Sequence, residues 1–335
     1  MTYFSRTGGG SRLLLGMAAA GVAAAAYVQL RSRQAEREHP PTGKFVTAEG
    51  VRLHYAERGE GEPLVLLHGN TTMSMDFLLG PYIDMAAAKY RVIVFDRPGY
   101  GWSERPRGRM VYGPQTQARL IHEALARIGV EHPIVHGHSW GAMAAMAMGL
   151  NHPEHVRALV LESGYWYPTA RPDVPMASAP ASPIIGDIMR YTFSPLPFRA
   201  QWAPMVKIMF APREVPDYFW RFPPWMAFRP SQHRAATAEI AQVAPAAAML
   251  SRSYAELSVP AVILAGREDR LAWTTSHSDR LAQELPSVPY RVFEGQGHML
   301  HHLVPEDVMD AVDDVAGRSY APPPATQQRA AARTV

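Results

Sequence analysis

The chain has 335 residues, 47% of them apolar, enough to bury a sizeable core in one large domain or two small ones. It contains no cysteine, which excludes disulfide scaffolds, thiolate metal sites and cysteine nucleophiles. The formal charge is +3, but residues 1–44 hold six Lys/Arg against two Glu and residues 319–335 add two Arg, so the body between them is mildly acidic and offers a polyanion such as nucleic acid no basic face.

In chain order, residues 1–12 form a short basic segment with Arg6 and Arg12. Leu13 to Leu30 is an uncharged, Ala-rich run of about 18 residues, near the minimum for crossing a bilayer. It predicts a transmembrane anchor. A secretory signal cleaved in the small residues before Tyr27, leaving a secreted or periplasmic domain, and a soluble helix are the alternatives. Arginines flank the run on both sides, so the positive-inside rule selects no orientation. Residues 31–44 read as a polar linker ending near Pro40-Pro41.

From Phe45 the pattern is regular. Phe45 to Gly59 alternates around Glu49-Gly50 as a hairpin does. Pro63–Gly69 and Tyr90–Gly101 begin as continuous apolar runs and end in polar or Gly-rich loops, the signature of strands buried on both faces. A helix is expected over Met73–Lys89 and another over Gln115–Ile128, where Leu120, Ile121, Leu125 and Ile128 share a face. Strand Pro133–Ser139, an Ala/Met-rich helix to Leu150 and strand Val156–Gly164 follow. Repeated strand–helix alternation implies an α/β fold with a mostly parallel sheet covered by helices. From Tyr165 to about Pro245 proline and aromatic residues dominate, which predicts a helical insertion of short, broken pieces. The α/β rhythm resumes at Val259–Asp269 and Val288–His298 and ends in a helix near Pro305–Val315. Residues 319–335 read as a disordered tail.

Gly137-His138-Ser139-Trp140-Gly141 follows a predicted strand and opens a predicted helix, the context of a G-x-S-x-G nucleophile elbow. Taken alone, the pentapeptide also fits a serine cap in a glycine turn. A nucleophilic serine needs a base, and the base an orienting acid. Asp269 lies just beyond one later strand and His298 just beyond the next, in the chain order Ser, Asp, His. Backbone N–H groups of Trp140 and of Asn70, in the turn His68-Gly69-Asn70, are the candidate oxyanion donors. No metal-ligand spacing, phosphate loop or dinucleotide fingerprint appears, so no cofactor is implied.

On these residues, together with the loop Asp96-Arg97-Pro98-Gly99-Tyr100-Gly101-Trp102-Ser103, the chain from about Phe45 to Arg318 resembles the α/β-hydrolase family. The resemblance implies a hydrolase domain over residues 45–318, with residues 165–245 as a cap over the active site. It implies a triad of Ser139, Asp269 and His298 and a structural role for the loop at 96–103. Glu162 sits where some haloalkane dehalogenases carry their acid, and it competes with Asp269; Glu268 is a weaker rival. Asn70 and Trp140 resemble the halide-binding pair of those enzymes, but their nucleophile is Asp. A serine in its place would form a dead-end ether, so dehalogenase chemistry does not transfer, and epoxide hydrolases also use Asp. The implied activity is cleavage of a carboxylic ester or related acyl substrate, apolar or aromatic, through an acyl-enzyme. Cofactor-free perhydrolysis or carbon–carbon bond hydrolysis by the same triad, and a non-catalytic ligand-binding protein on the same scaffold, are the alternatives. The sequence does not specify the oligomeric state.

Overall fold

The computed structural model describes residues 8–108 and 110–317. The tail 319–335 and residues 1–7 of the basic segment lie outside the described residues.

Eight strands form one sheet: β1 (Lys44–Ala48), β2 (Val51–Arg58), β3 (Glu62–Leu67), β4 (Tyr90–Phe95), β5 (Ile134–His138), β6 (Ala158–Glu162), β7 (Ala261–Gly266) and β8 (Tyr290–Phe293), in the order β1-β2-β4-β3-β5-β6-β7-β8. The expected hairpin is present as β1–β2, and β2 also pairs antiparallel with β4; all other pairings are parallel. The continuous apolar runs are explained by a sheet covered on both faces. On β3, Val65 and Leu67 point into one buried cluster and Leu64 and Leu66 into the other, as the two-residue strand period requires.

Helices α4 (Pro114–Arg127), α5 (Trp140–Asn151) and α12 (Ser278–Glu284) supply Leu120, Met146 and Leu281 to the first cluster. On the other face lie α2 (Met75–Leu78), α3 (Pro81–Ala87), α13 (Leu300–Leu303) and α14 (Pro305–Ala316), where Phe77, Ile83, Leu300 and Val312 pack. The single helix expected over Met73–Lys89 is two, because Gly80 takes φ 98° and Pro81 starts the second.

Between β6 and β7 comes the insertion: α6 (Val174–Ser178), α7 (Ile185–Tyr191), α8 (Pro195–Ala200), α9 (Trp202–Phe210), α10 (Pro224–Ala227) and α11 (Pro230–Leu250). The first five are short, as the prolines predict. The 21-residue α11 instead continues through Pro245, so the boundary drawn at 245 falls inside a helix. Pro245 and Ala241 are both on the exposed side, so the carbonyl that loses its N–H partner faces water. Most insertion aromatics, including Phe210, Phe219, Phe222 and Phe228, form the cap's own core, joined by Met73, Tyr100 and Met299 from below.

Helix α1 (Gly8–Glu38) runs through most of the expected linker 31–44. Within it, Arg12–Glu38 is long and apolar enough to cross a membrane. Residues 12–20 stand clear of the fold, whereas Val28, Ser32 and Ala35, at helical spacing, are buried. That face docks on the cap: Tyr27 meets Trp225 edge-on, Arg31 lies over the same indole, and Glu36 pairs with Arg229 at 3.0 Å. Residues 31–38 are thus helical and packed on the cap, with Arg31 donating to Gln34 and Gln34 to Glu38 along the helix, each at 2.7 Å.

Candidate active site

Ser139 lies between the end of β5 and the start of α5, with φ 56° and ψ −120°. A non-glycine residue held there costs on the order of 1–3 kcal/mol and persists only where its surroundings enforce it. Here the Ser139 N–H donates to the Glu162 carbonyl (2.8 Å), and its own carbonyl accepts from the Ala142 N–H (3.0 Å). The flanking glycines are sterically required. A Cβ on Gly137 would overlap the Gly141 carbonyl, and one on Gly141 would overlap the carbonyls of Leu67 and His68. The same close approach brings the loop after β3 to the serine: a Cβ on Gly69 would stand 3.1 Å from the Ser139 Cβ.

Asp269 follows β7 and His298 follows β8, at the same edge of the sheet as the elbow. Asp269 Oδ2 lies 2.7 Å from His298 Nδ1, and Oδ1 accepts the N–H groups of Leu271 (2.8 Å) and Ala272 (3.0 Å). The carboxylate is therefore aimed by its own turn. His298 and Ser139 line one cavity of about 160 Å³ together with Gly69, Asn70, His138 and Trp140. The cap closes it with Trp202, Met205, Met209, Ile240 and Val243, and Tyr165 and Arg171 complete the wall.

Neither rival acid meets the base. Glu162 accepts from His301 Nδ1 (2.8 Å) and the His301 N–H (3.2 Å) through one oxygen and faces His136 Nε2 (2.8 Å) through the other. Glu268 has one buried oxygen without a hydrogen-bond partner among the described residues. Neither reaches His298 Nδ1, which Asp269 occupies.

Asn70 directs its side chain away from a ligand role. Its amide nitrogen donates to Tyr100 Oη, the Ala236 carbonyl and Glu239 Oε2, each at 3.0 Å, and its amide oxygen accepts from Thr71. The Trp140 N–H is the first of α5, a group that finds no partner within a helix.

Two buried polar networks around the cavity escape sequence reasoning. In the first, Glu239 of α11 accepts from Arg97 Nη1 (2.6 Å) and Nη2 (3.1 Å), Tyr100 Oη (2.6 Å), Gln117 Nε2 (2.8 Å) and Asn70. Burial pushes the Glu239 carboxyl up, but the Arg97 guanidinium and these donors outweigh it and hold it below the usual carboxylate range. Arg97 also donates to the carbonyls of His68 (2.7 Å) and Gly69 (2.9 Å), so one residue pins both the cap and the turn holding Asn70. The loop at 96–103 thus does the structural work expected of it. His68 is fixed as a neutral tautomer, donating from Nδ1 to the Gly69 carbonyl (2.7 Å) and accepting the Arg97 N–H at Nε2 (3.1 Å).

The second network lies behind the serine and gathers Asp76, His136, His138, Glu162, His301 and His302, all buried. Burial opposes protonation of His301, yet Glu162 and Asp76 outweigh it and lift its pKa to about 10. Burial pushes His138 well below the ordinary histidine value.

Residues 62–305 match the family model for the alpha/beta hydrolase fold. The chain belongs to the α/β-hydrolase fold family. Its sheet order and helical insertion between β6 and β7 are those of that fold. Haloalkane dehalogenase 2 of Mycobacterium bovis is 32% identical over 130 residues, covering 39% of this chain and 44% of that protein. The 2-hydroxymuconate semialdehyde hydrolase of Pseudomonas putida is 34% identical over 130 residues, covering 38% and 45%. These matches thus span less than half the length of either relative. Among solved structures, a membrane phospholipase A superposes with a TM-score of 0.62 at 22% identity, over 92% of this chain and 98% of that one. This likeness concerns the fold.

Proposed function

We propose that this α/β-hydrolase cleaves a small carboxylic ester or related acyl substrate through an acyl-enzyme on Ser139. The observation that carries the reading is His298, held by Asp269 at 2.7 Å, lining the same cavity as a serine held at φ 56°. Asp269 keeps the proton of His298 on Nδ1, leaving Nε2 free to take the Ser139 hydroxyl proton as Oγ attacks the acyl carbon. The N–H groups of Asn70 and Trp140 receive the oxyanion, and loss of one such donor typically costs about 3–4 kcal/mol in the barrier. His298 then passes its proton to the departing alcohol. It next takes one from water, which attacks the acyl-enzyme, and gives that proton back to Ser139 Oγ as the acid is released. Dehalogenation has no support here: the serine cannot replace a carboxylate nucleophile, and the Asn70 amide is consumed by Glu239 and Tyr100.

A cavity of about 160 Å³ compares with the roughly 150 Å³ engineered void that holds one benzene ring. The substrate's acyl portion is accordingly a short chain or a single ring. Hydrolysis of p-nitrophenyl esters tests this: kcat/KM is expected to peak at short acyl chains and to vanish in Ser139→Ala. Equal rates from acetate to palmitate would overturn the size assignment, and retained turnover in Ser139→Ala the nucleophile.

We also read α1 as a membrane anchor. Its support is the free, apolar stretch before Gly21 and the continuation of apolar surface onto α7, which contacts α1 and exposes Ile185 and Ile188. Fractionation decides: the full-length chain is expected in membranes and to resist alkaline extraction, and recovery at full mass in the soluble fraction would contradict it.

A further inference from the structure

We propose that Asp76, His138 and His301 form a buried binding site for a divalent transition-metal ion behind the nucleophile. The three come from α2, the end of β5 and α13, and one potential ligand atom from each lies within 4.8 Å of the others. His138 Nδ1 is 3.8 Å from Asp76 Oδ2, and His301 Nε2 is 3.6 Å from Asp76 Oδ1. Ligands about 2.1 Å from a tetrahedral zinc stand about 3.4 Å apart, so the three would draw together by up to about 1 Å on binding.

The hydrogen bonds dictate what kind of ligand fits. His138 Nε2 faces the His298 carbonyl at 3.1 Å. A carbonyl only accepts, so His138 carries its proton on Nε2 and presents a bare lone pair at Nδ1. That lone pair faces a carboxylate, which also only accepts. His301 Nδ1 likewise faces Glu162 Oε1 at 2.8 Å and carries its proton there, turning Nε2 toward Asp76. Both His138 Nδ1 and His301 Nε2 are buried without a hydrogen-bonding partner among the described residues. The His138 Nδ1 lone pair and the Asp76 carboxylate, relieved among these residues only by the Thr72 hydroxyl (3.1 Å) and by His301 and His302, call for a positive centre between them in a dry interior, and a metal ion would supply it in place of the His301 proton.

Charge points the same way. The neighbouring histidines have neutral arrangements available: His136 between Tyr82 Oη and Glu162, and His302 between Tyr218 Oη and Asp76. Two buried carboxylates, Asp76 and Glu162, then face at most one imidazolium, His301. A divalent ion with neutral histidines would balance both. The outer contacts are also those of a metal centre, where each ligating imidazole gives its second N–H to a carboxylate or a backbone carbonyl. Here these are Glu162 for His301 and the His298 carbonyl for His138. Two imidazoles and one carboxylate suit zinc or cobalt.

The ion would hold His138, the neighbour of Ser139, to His301, three residues beyond His298, and so fix nucleophile and base relative to each other without joining the chemistry. Full-length protein produced with zinc or with cobalt and then desalted tests the site. About one equivalent of metal is expected, lost in Asp76→Asn and His301→Gln, with visible cobalt bands of low-coordinate N/O type and a melting temperature lowered by chelation. The cobalt spectrum needs only the wild type, so the test stands if a variant fails to fold. Folded wild-type protein with no bound metal would overturn the proposal and leave a proton or water between these groups. So would metal that survives both substitutions but is lost in His155→Ala, which marks instead the separate cluster in which the His122 ring lies 4.1 Å from that of His152 and 4.8 Å from that of exposed His155.

Discussion

Arg97 and Glu239, 142 positions apart, form a fully buried ion pair at 2.6 Å that joins the core to the cap. Because the same guanidinium holds the carbonyls of His68 and Gly69, cap attachment and the shape of the turn at Asn70 are one mechanical unit. Removing one partner of a buried pair strands the other charge and costs about 3–5 kcal/mol. Glu239→Gln is therefore expected to lower the urea midpoint by that amount of stability, and kcat to fall by up to about a hundredfold through misplacement of the Asn70 N–H. Unchanged kcat in folded Glu239→Gln would separate the turn from the cap.

Asp269→Asn should leave the fold intact, since the asparagine oxygen can still accept from Leu271 and Ala272. The amide can no longer hold the proton of His298 on Nδ1, and the comparable loss in a serine protease is about 10⁴ in kcat. Steady-state kinetics with circular dichroism as the folding control check this. A loss under tenfold would return the role of the acid to another carboxylate.

Acid stability follows from histidines buried neutral. Burial lowers His68, His233 and His277 to about 4. His68 has no room for a second proton, since its Nε2 accepts the Arg97 N–H. Below an unfolded pKa near 6.5 the unfolded chain binds protons that the folded one refuses, so stability falls as pH drops from about 6.5 to 4, by up to roughly 3 kcal/mol for each such histidine. Melting temperatures from pH 7.5 to 4.5 report it, and a flat profile would contradict the neutral assignment.

What the sequence disclosed was whatever is local or serial. Continuous apolar runs such as Leu64–Leu67 announce a sheet covered on both faces, and Asp269 and His298 were visible because each lies in the short loop after its strand. Interruptions that depend on solvent exposure were less legible: Pro245 predicts a helix end, yet α11 continues because the freed carbonyl faces water. The buried networks left no signal at all. Glu239 is one acidic residue in a long helix, and Asp76, His138 and His301 have no ligand-like spacing because three separate elements bring them together. Only the fold makes them neighbours.

Whether Ser139 is an activated nucleophile is decided by fluorophosphonate labelling read by peptide mass spectrometry. One phosphonate adduct on Ser139 in the wild type, absent in Ser139→Ala and strongly slowed in His298→Ala, is the predicted result. Folded wild-type protein left unmodified at Ser139, or labelled elsewhere with equal yield in Ser139→Ala, would contradict it.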